Sequence, residues 1–397
     1  MVPRPQPGWQ GPAVALAAVR VQANPVLLLQ LTSFELDGVV YSLFVVAFAG
    51  AVLLNTPLHR VGLAVLLAGI LLLVNTKITG LYWAGVAGLA VLVQQALAQR
   101  GPPLRLAAAL LATAVVAVVL VGWRPYVTVP METGQWLGAS TGVVAAPANL
   151  QDAGPATRLT YLVAGESSNP VGTEPAQLKW PWQFSRSEFV TLLDIRVGGF
   201  GPGFGLQVLG ALLVALAFAW RAWRSCKTDW RAHNTAHWQG PFWVAVLVLG
   251  TALLPASWWA RLASPFWLAM VLPLVWPLAP PSPGALAGGM RPLPLWVAGW
   301  LLVGAGLVVT SAATVSTLRL LHTTNQAITQ VLAQVASEGA VVRIVPLNPL
   351  EQDHAAVLWT QRLLEAGIYP RIGDAAGCGQ ALFAVGSVQL CKDPGGL

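Results

Sequence analysis

Long apolar runs alternate with short polar or glycine- and proline-rich breaks until about residue 315, where the rhythm changes. A helix needs about 20 apolar residues to cross a bilayer core. Eight runs approach that length: 38–55, 61–75, 79–98, 104–123, 203–222, 241–257, 263–280 and 295–315. The second is short, and prolines interrupt the seventh. The pattern predicts an all-α polytopic membrane protein of about eight transmembrane helices. Residues 38–123 and 203–315 would each supply four spans. Residues 1–37 read as an interfacial N-terminal segment and 124–202 as a long loop between the two membrane regions.

The last stretch, 316–397, has mixed periodicity. "STLRLLHTTNQAITQVLAQVASEG" reads as an amphipathic helix and "AVVRIVPL" as a strand. "EQDHAAVLWTQRLLEAG" reads as a second helix, with "QALFAVG" and "VQLCK" as further strands. Alternation at period two marks strands, and spacing of three to four marks helices. The expectation is a small α/β appendage.

Composition agrees. The chain is 56% hydrophobic and 9% charged, against about 25% charged in a soluble domain. Eighteen tryptophans gather at run ends, among them Trp123, Trp220, Trp258, Trp259 and Trp296, as in an interfacial belt. The net charge of +7 marks cytoplasmic loops in such a chain. With no groove-reading motif present, nucleic acid is excluded as a partner.

Short-loop charges set the orientation. Loops after the first, third and fifth spans carry Arg60, then Arg100 and Arg105, then Arg224, Lys227 and Arg231. The opposite side has Lys77 and Arg261 in tight turns. The first set is therefore read as cytoplasmic, which puts 124–202 and the C-terminus outside a bacterial inner membrane. Cys378 and Cys391 then face an oxidising compartment, where a disulfide and two free thiols are both open readings. Cys226 falls in a basic cytoplasmic loop. Residues 13–31 hold Arg20, Gln22, Asn24 and Pro25 and make a poor span. Since 1–37 would lie outside with no span before it, a missing N-terminal fragment is expected.

Polar groups collect on the extracytoplasmic side. In "ANPVLLLQLTSFELDG", Asp37 is a candidate general base or metal ligand, or a solvated helix start. Lys77 in "NTKITGLYW" stands against the positive-inside rule and reads as a substrate-binding cation or an interfacial anchor. The long loop closes with "LKWPWQFSRSEFVTLLDIRVGGFGPGFG". There Trp180, Trp182 and Phe184 suggest an interfacial helix or a substrate lip. Glu188, Asp194 and Arg196 are the ionisable set, with Glu188 and Arg196 read as substrate-binding and Asp194 as catalytic. Asp194 and Arg196 either pair with each other, or take an acceptor hydroxyl and a phosphate respectively. Arg261, beside Trp258 and Trp259, is a snorkelling anchor or a phosphate ligand.

The glycine run ends in no G-K-[ST], and it opens an apolar helix without a βαβ unit. It reads as a structural turn into the membrane. His233 and His237 are four apart with no third ligand nearby, so no metal site is assigned.

The strings "NPVLLLQLTSFELDG", "NTKITGLYW", "RPYVTVPMETG", "DIRVGGFGPGFG" and "WWARL", in that order, resemble uncharacterised bacterial polytopic membrane proteins related to the C-type glycosyltransferases. The resemblance covers most of 20–270 and touches the tail at "RLLEAGIYP". It implies use of a polyprenyl-phosphate sugar on the outer face and work in cell-envelope glycan assembly. The partners implied are membrane lipid, a lipid-linked sugar donor and a glycan or lipid acceptor. Lys77, Arg196 or Arg261 would neutralise the leaving phosphate, and Asp37 or Asp194 would deprotonate the acceptor. A divalent metal is compatible with that chemistry and unassigned. The chain departs from the pattern at Leu36-Asp37-Gly38, where an aromatic precedes Asp-Gly in the group. It also lacks an acidic loop after a first span, which fits the missing fragment. An O-antigen-type polymerase or ligase, and a non-catalytic transport or assembly subunit, are the alternatives.

Overall fold

The computed structural model describes residues 18–30, 36–98, 103–133, 150, 152–167, 177–190, 199–225, 238–255, 257–275, 294–338, 341–346, 352–373, 378, 380–385 and 388–392. Among the residues singled out in the sequence, Asp194, Arg196, Cys226, His233 and His237 lie outside these residues. Two compact units divide the chain, 1–317 and 318–397.

The first unit is helical. In chain order its helices are α1 (Pro25–Gln30), α2 (Asp37–Leu53), α3 (His59–Thr76), α4 (Ile78–Leu97) and α5 (Pro103–Val115). Then come α6 (Val129–Thr133), α7 (Pro155–Ala164), α8 (Ser187–Val190) and α9 (Phe204–Ser225). Last are α10 (Gln239–Leu253), α11 (Phe266–Val275) and α12 (Pro294–Ser337). Each of the eight apolar runs carries one of these helices. Four are long and apolar enough to cross a membrane: α3, α4, Pro103–Val121 and α12. The apolar helices α2, Phe204–Trp220 within α9, α10 and α11 are shorter, at 10–17 residues. At 1.5 Å per residue, a 17-residue helix spans about 26 Å, less than the roughly 30 Å hydrocarbon core.

Small residues set the helix spacing. A Cβ on Gly50 of α2 would lie 2.5 Å from Leu66 N of α3, and one on Gly69 would lie 3.0 Å from Ala47. In α9 and α12 the contacts are reciprocal. A Cβ on Gly210 would stand 2.5 Å from Gly299 O, and one on Gly299 2.7 Å from Gly210 O. This is close backbone packing through small residues, as membrane helices use where the hydrophobic effect no longer discriminates.

Two elements differ from the sequence reading. Pro103–Val115 continues as π-helix over Val116–Val121, and Arg124–Thr128 is a second π segment leading into α6. "RPYVTVPMETG" is thus mostly helical rather than loop. The Tyr126 hydroxyl donates to Val74 O, which ties this extension to α3. The second difference is α12. It runs unbroken for 44 residues through 315–316, where the sequence suggested a span and a separate helix. No glycine or proline stands between Gly306 and Gly339, so nothing in that stretch stops a helix.

The second unit matches its expectation. It contains β1 (Val342–Pro346), α13 (Gln352–Glu365), β2 (Pro370–Ile372), β3 (Gln380–Val385) and β4 (Val388–Lys392). The sheet order is β2-β1-β4-β3, with β1 parallel to β2 and the other pairs antiparallel. Ile328, Leu332 and Val335, from the end of α12, pack with Val342, Ile344 and Leu390 in its core. Cys378 and Cys391 form a disulfide, resolving the open pair of readings.

Candidate functional site

Arg20, Asn24 and Asp37 meet the 257–265 turn, the start of α11 and the α3–α4 junction. Asn24 sits between a short helical stretch, 18–22, and α1. Its Oδ1 accepts from Val26 N at 3.0 Å, the capping expected of Asn ahead of a helix. Its Nδ2 donates to Ser264 O at 3.4 Å, and Ser264 Oγ reaches Asp37 O at 3.5 Å. Ser264 thus joins the two ends of the N-terminal segment.

Asp37 opens α2, where the helix dipole favours a carboxylate. Its side chain is 1% exposed. Lys77 Nζ donates to Oδ1 at 2.8 Å, and Gln30 Nε2 approaches Oδ2 at 3.4 Å. Gln30 Oε1 accepts from Gly38 N. Lys77 is the single extended residue between α3 and α4. Gly80 makes the tight reversal: a Cβ there would collide with Leu73 O. Lys77 therefore projects from a helix junction, with 32% of its side chain exposed. Two sequence candidates, forty residues apart, form one ion pair. Its buried half is the acid and its accessible half the base, so Asp37 positions Lys77.

Glu188 stands in a different network. It is fully buried at the start of α8. Lys179 Nζ donates to both carboxylate oxygens, at 2.6 and 2.8 Å, and to Pro202 O at 3.0 Å. Ser167 N and Oγ donate to Oε1, and Ser185 N donates to Oε2. Burial pulls the Lys179 ammonium below the ordinary lysine range, while the Glu188 hydrogen bond and charge oppose that shift. This carboxylate fixes the strand-like turns around it and the start of the glycine run.

The glycines of that run serve packing. Gly201 has φ +98°, and a Cβ on Gly203 would collide with Gly306 O of α12. Phe200 and Phe204 close on Trp267, with ring centroids 5.5 and 5.6 Å away. The neighbouring Trp180 and Trp182 are stacked, 5.6 Å apart and 8° from parallel, in a turn rather than a helix. They are 63% and 61% exposed. The interfacial-helix reading is thus corrected, since the pair lies in a turn.

Arg261 lies over the Trp259 ring at 5.1 Å, in cation–π contact. Trp258 and Trp259 are buried against Leu150, Ala153, Tyr161 and Leu262, so these two are core residues rather than belt anchors. Trp123 and Trp220 are exposed, as a belt requires.

Sequence reasoning missed two cations. Lys179 was hidden among aromatics. Arg20 counted only against a span, yet it is 1% exposed beneath Trp267. An arginine inside an apolar stretch was the available signal. Among the described residues, no group of three or more His, Cys, Asp or Glu could hold a metal ion, so no metal-dependent step is assigned to them.

No protein-family model, curated protein or solved structure matches the chain.

Proposed function

We propose that this is a multi-pass protein of the bacterial inner membrane that transfers a sugar from a lipid-linked donor on the extracytoplasmic face, in cell-envelope glycan assembly. The eight-span topology with the C-terminus outside is part of that reading. Four apolar helices of spanning length and four shorter ones support it. The charge asymmetry of the short loops and the Cys378–Cys391 bridge also support an outside tail.

The observation that carries the reading is the Asp37–Lys77 pair. A cation is held at the rim of an apolar bundle with part of its side chain open. Such a group stabilises charge that develops on a leaving phosphate. Asp37 holds the ammonium in place. Arg261, braced on Trp259, is a second candidate cation. On sequence grounds, Asp194 takes the acceptor proton and Arg196 a phosphate oxygen. The stacked Trp180–Trp182 surface suits an acceptor sugar or a lipid interface.

The test is transfer from a polyprenyl-phosphate sugar by the full-length protein in a bilayer. Lys77→Gln and Asp194→Asn should each abolish transfer per folded molecule. Full activity in both variants would remove the assignment.

A further inference from the structure

Arg20 is buried with its Nε, Nη1 and Nη2 all shielded from solvent, and none of them makes a hydrogen bond. A guanidinium presents five N–H donors and keeps its charge. A buried charge normally has a partner, because desolvation is otherwise uncompensated. Burial pulls Arg20 down to about 9, with the nearby Tyr41 hydroxyl partly opposing the shift. Asp37, the buried acid that opens α2, is engaged by Lys77 and Gln30. The Tyr41 hydroxyl is spent on Val21 O at 2.8 Å.

The surroundings are rigid. The guanidinium carbon stands 5.4 Å from the centre of the Trp267 ring. Trp267 Nε1 donates back to Arg20 O at 2.8 Å. Phe204 stacks on the same indole, 16° from parallel. Aromatic contact satisfies the face of the guanidinium but leaves its in-plane donors unused. A planar fork of donors in a dry aromatic setting matches an oxyanion, which takes two parallel hydrogen bonds.

We propose that Arg20 is the anchor of an oxyanion site between residues 18–30 and the 257–265 turn with the start of α11, and that the site takes a phosphate group from either a lipid headgroup or free phosphate. The proposal goes beyond sugar transfer and does not rest on it, since it requires only that phosphate binds. Trp267 orients the fork, and Asn24 and Ser264 hold the two segments together around it. A bound phosphate would supply the acceptors that the three Arg20 nitrogens lack.

The experiment uses the full-length protein and reads its thermal midpoint. One arm titrates inorganic phosphate against chloride at constant ionic strength, in neutral detergent. The other compares nanodiscs of phosphatidylcholine with and without phosphatidic acid. The midpoint should rise in at least one arm. A rise with inorganic phosphate identifies free phosphate as sufficient, and a rise with phosphatidic acid alone identifies a headgroup. In whichever arm responds, Arg20→Gln should weaken the dependence roughly 10- to 100-fold, the loss expected for charge-assisted hydrogen bonds. Arg60→Gln, at an exposed position, should leave it unchanged. Arg20→Met supplies a second reading. Without phosphate it should be at least as stable as wild type, and saturating ligand should reverse that order. The proposal is overturned if neither arm moves the midpoint or if Arg20→Gln responds like wild type. It is equally overturned if Arg20→Met is the less stable protein without any anion.

Discussion

Asp37 and Lys77 are forty residues apart in sequence and 2.8 Å apart in space, the acid at the first turn of α2 and the base at the junction of α3 and α4. The pair is asymmetric, because the carboxylate is buried and the ammonium is partly open. Lys77→Gln strands a buried carboxylate and should cost about 3–5 kcal/mol. Asp37→Asn leaves a cation that can reach water and should cost about 1–3 kcal/mol. The double variant should be less damaging than the sum, with a coupling of about 0.5–3 kcal/mol. Thermal unfolding of all four proteins in one detergent measures this. Strict additivity would show that the contact is not energetically real.

Gly203 faces Gly306 so closely that any side chain forces α9 and α12 apart. Gly203→Ala should destabilise by about 1–3 kcal/mol through overpacking. Gly85→Ala has nothing within 4 Å of its new methyl. It should be neutral or gain up to about 1 kcal/mol from helix propensity. Matched thermal melts separate the two, and equal effects would count against the packing account.

Glu188 and Lys179 form a closed network, so their loss should appear as misfolding before it appears as weaker substrate binding. Glu188→Ala leaves the Lys179 ammonium without its acid and should cost about 3–5 kcal/mol. The check is folded yield on size exclusion alongside transfer activity per folded molecule. Normal yield with lost activity would instead make Glu188 a direct ligand.

The Cys378–Cys391 bridge closes a segment of 13 residues in sequence separation. A loop of that size contributes about 3 kcal/mol by chain entropy. Without reductant, a maleimide should label Cys226 alone among the three cysteines, read by peptide mass. Cys378→Ser should lower the stability of the tail and expose Cys391 to the same reagent. Labelling of all three in the untreated protein would refute the bridge.

Trp180 and Trp182 present a stacked, exposed aromatic surface. Their joint replacement by alanine should leave stability within about 0.5 kcal/mol, as for surface sites. It should weaken binding of the acceptor or of the membrane interface. Acceptor KM and vesicle partition together decide which. No change in either would make the pair ornamental.

The apolar periodicity placed a helix in each of the eight apolar runs and most of the strand–helix pattern of the second unit, but not the continuity of α12 or the strand β2. Periodicity is local, and burial of one face repeats along the chain. It also identified the glycine run as a turn rather than a nucleotide loop, since neither neighbouring pattern supplied a phosphate cradle. What it could not decide was partnership. Asp37 and Lys77 stood as separate candidates, Glu188 as a binding residue, and Trp258 as a surface anchor. Arg20 was only an impurity in a hydrophobic stretch. Each of these depends on which distant backbone comes within a few ångströms, because a charge or ring acquires its role from what surrounds it. For Asp37 and Lys77 that proximity follows the close packing of α2 on α3 through Gly50 and Gly69 and the tight reversal at Gly80, and only the tertiary structure decides it.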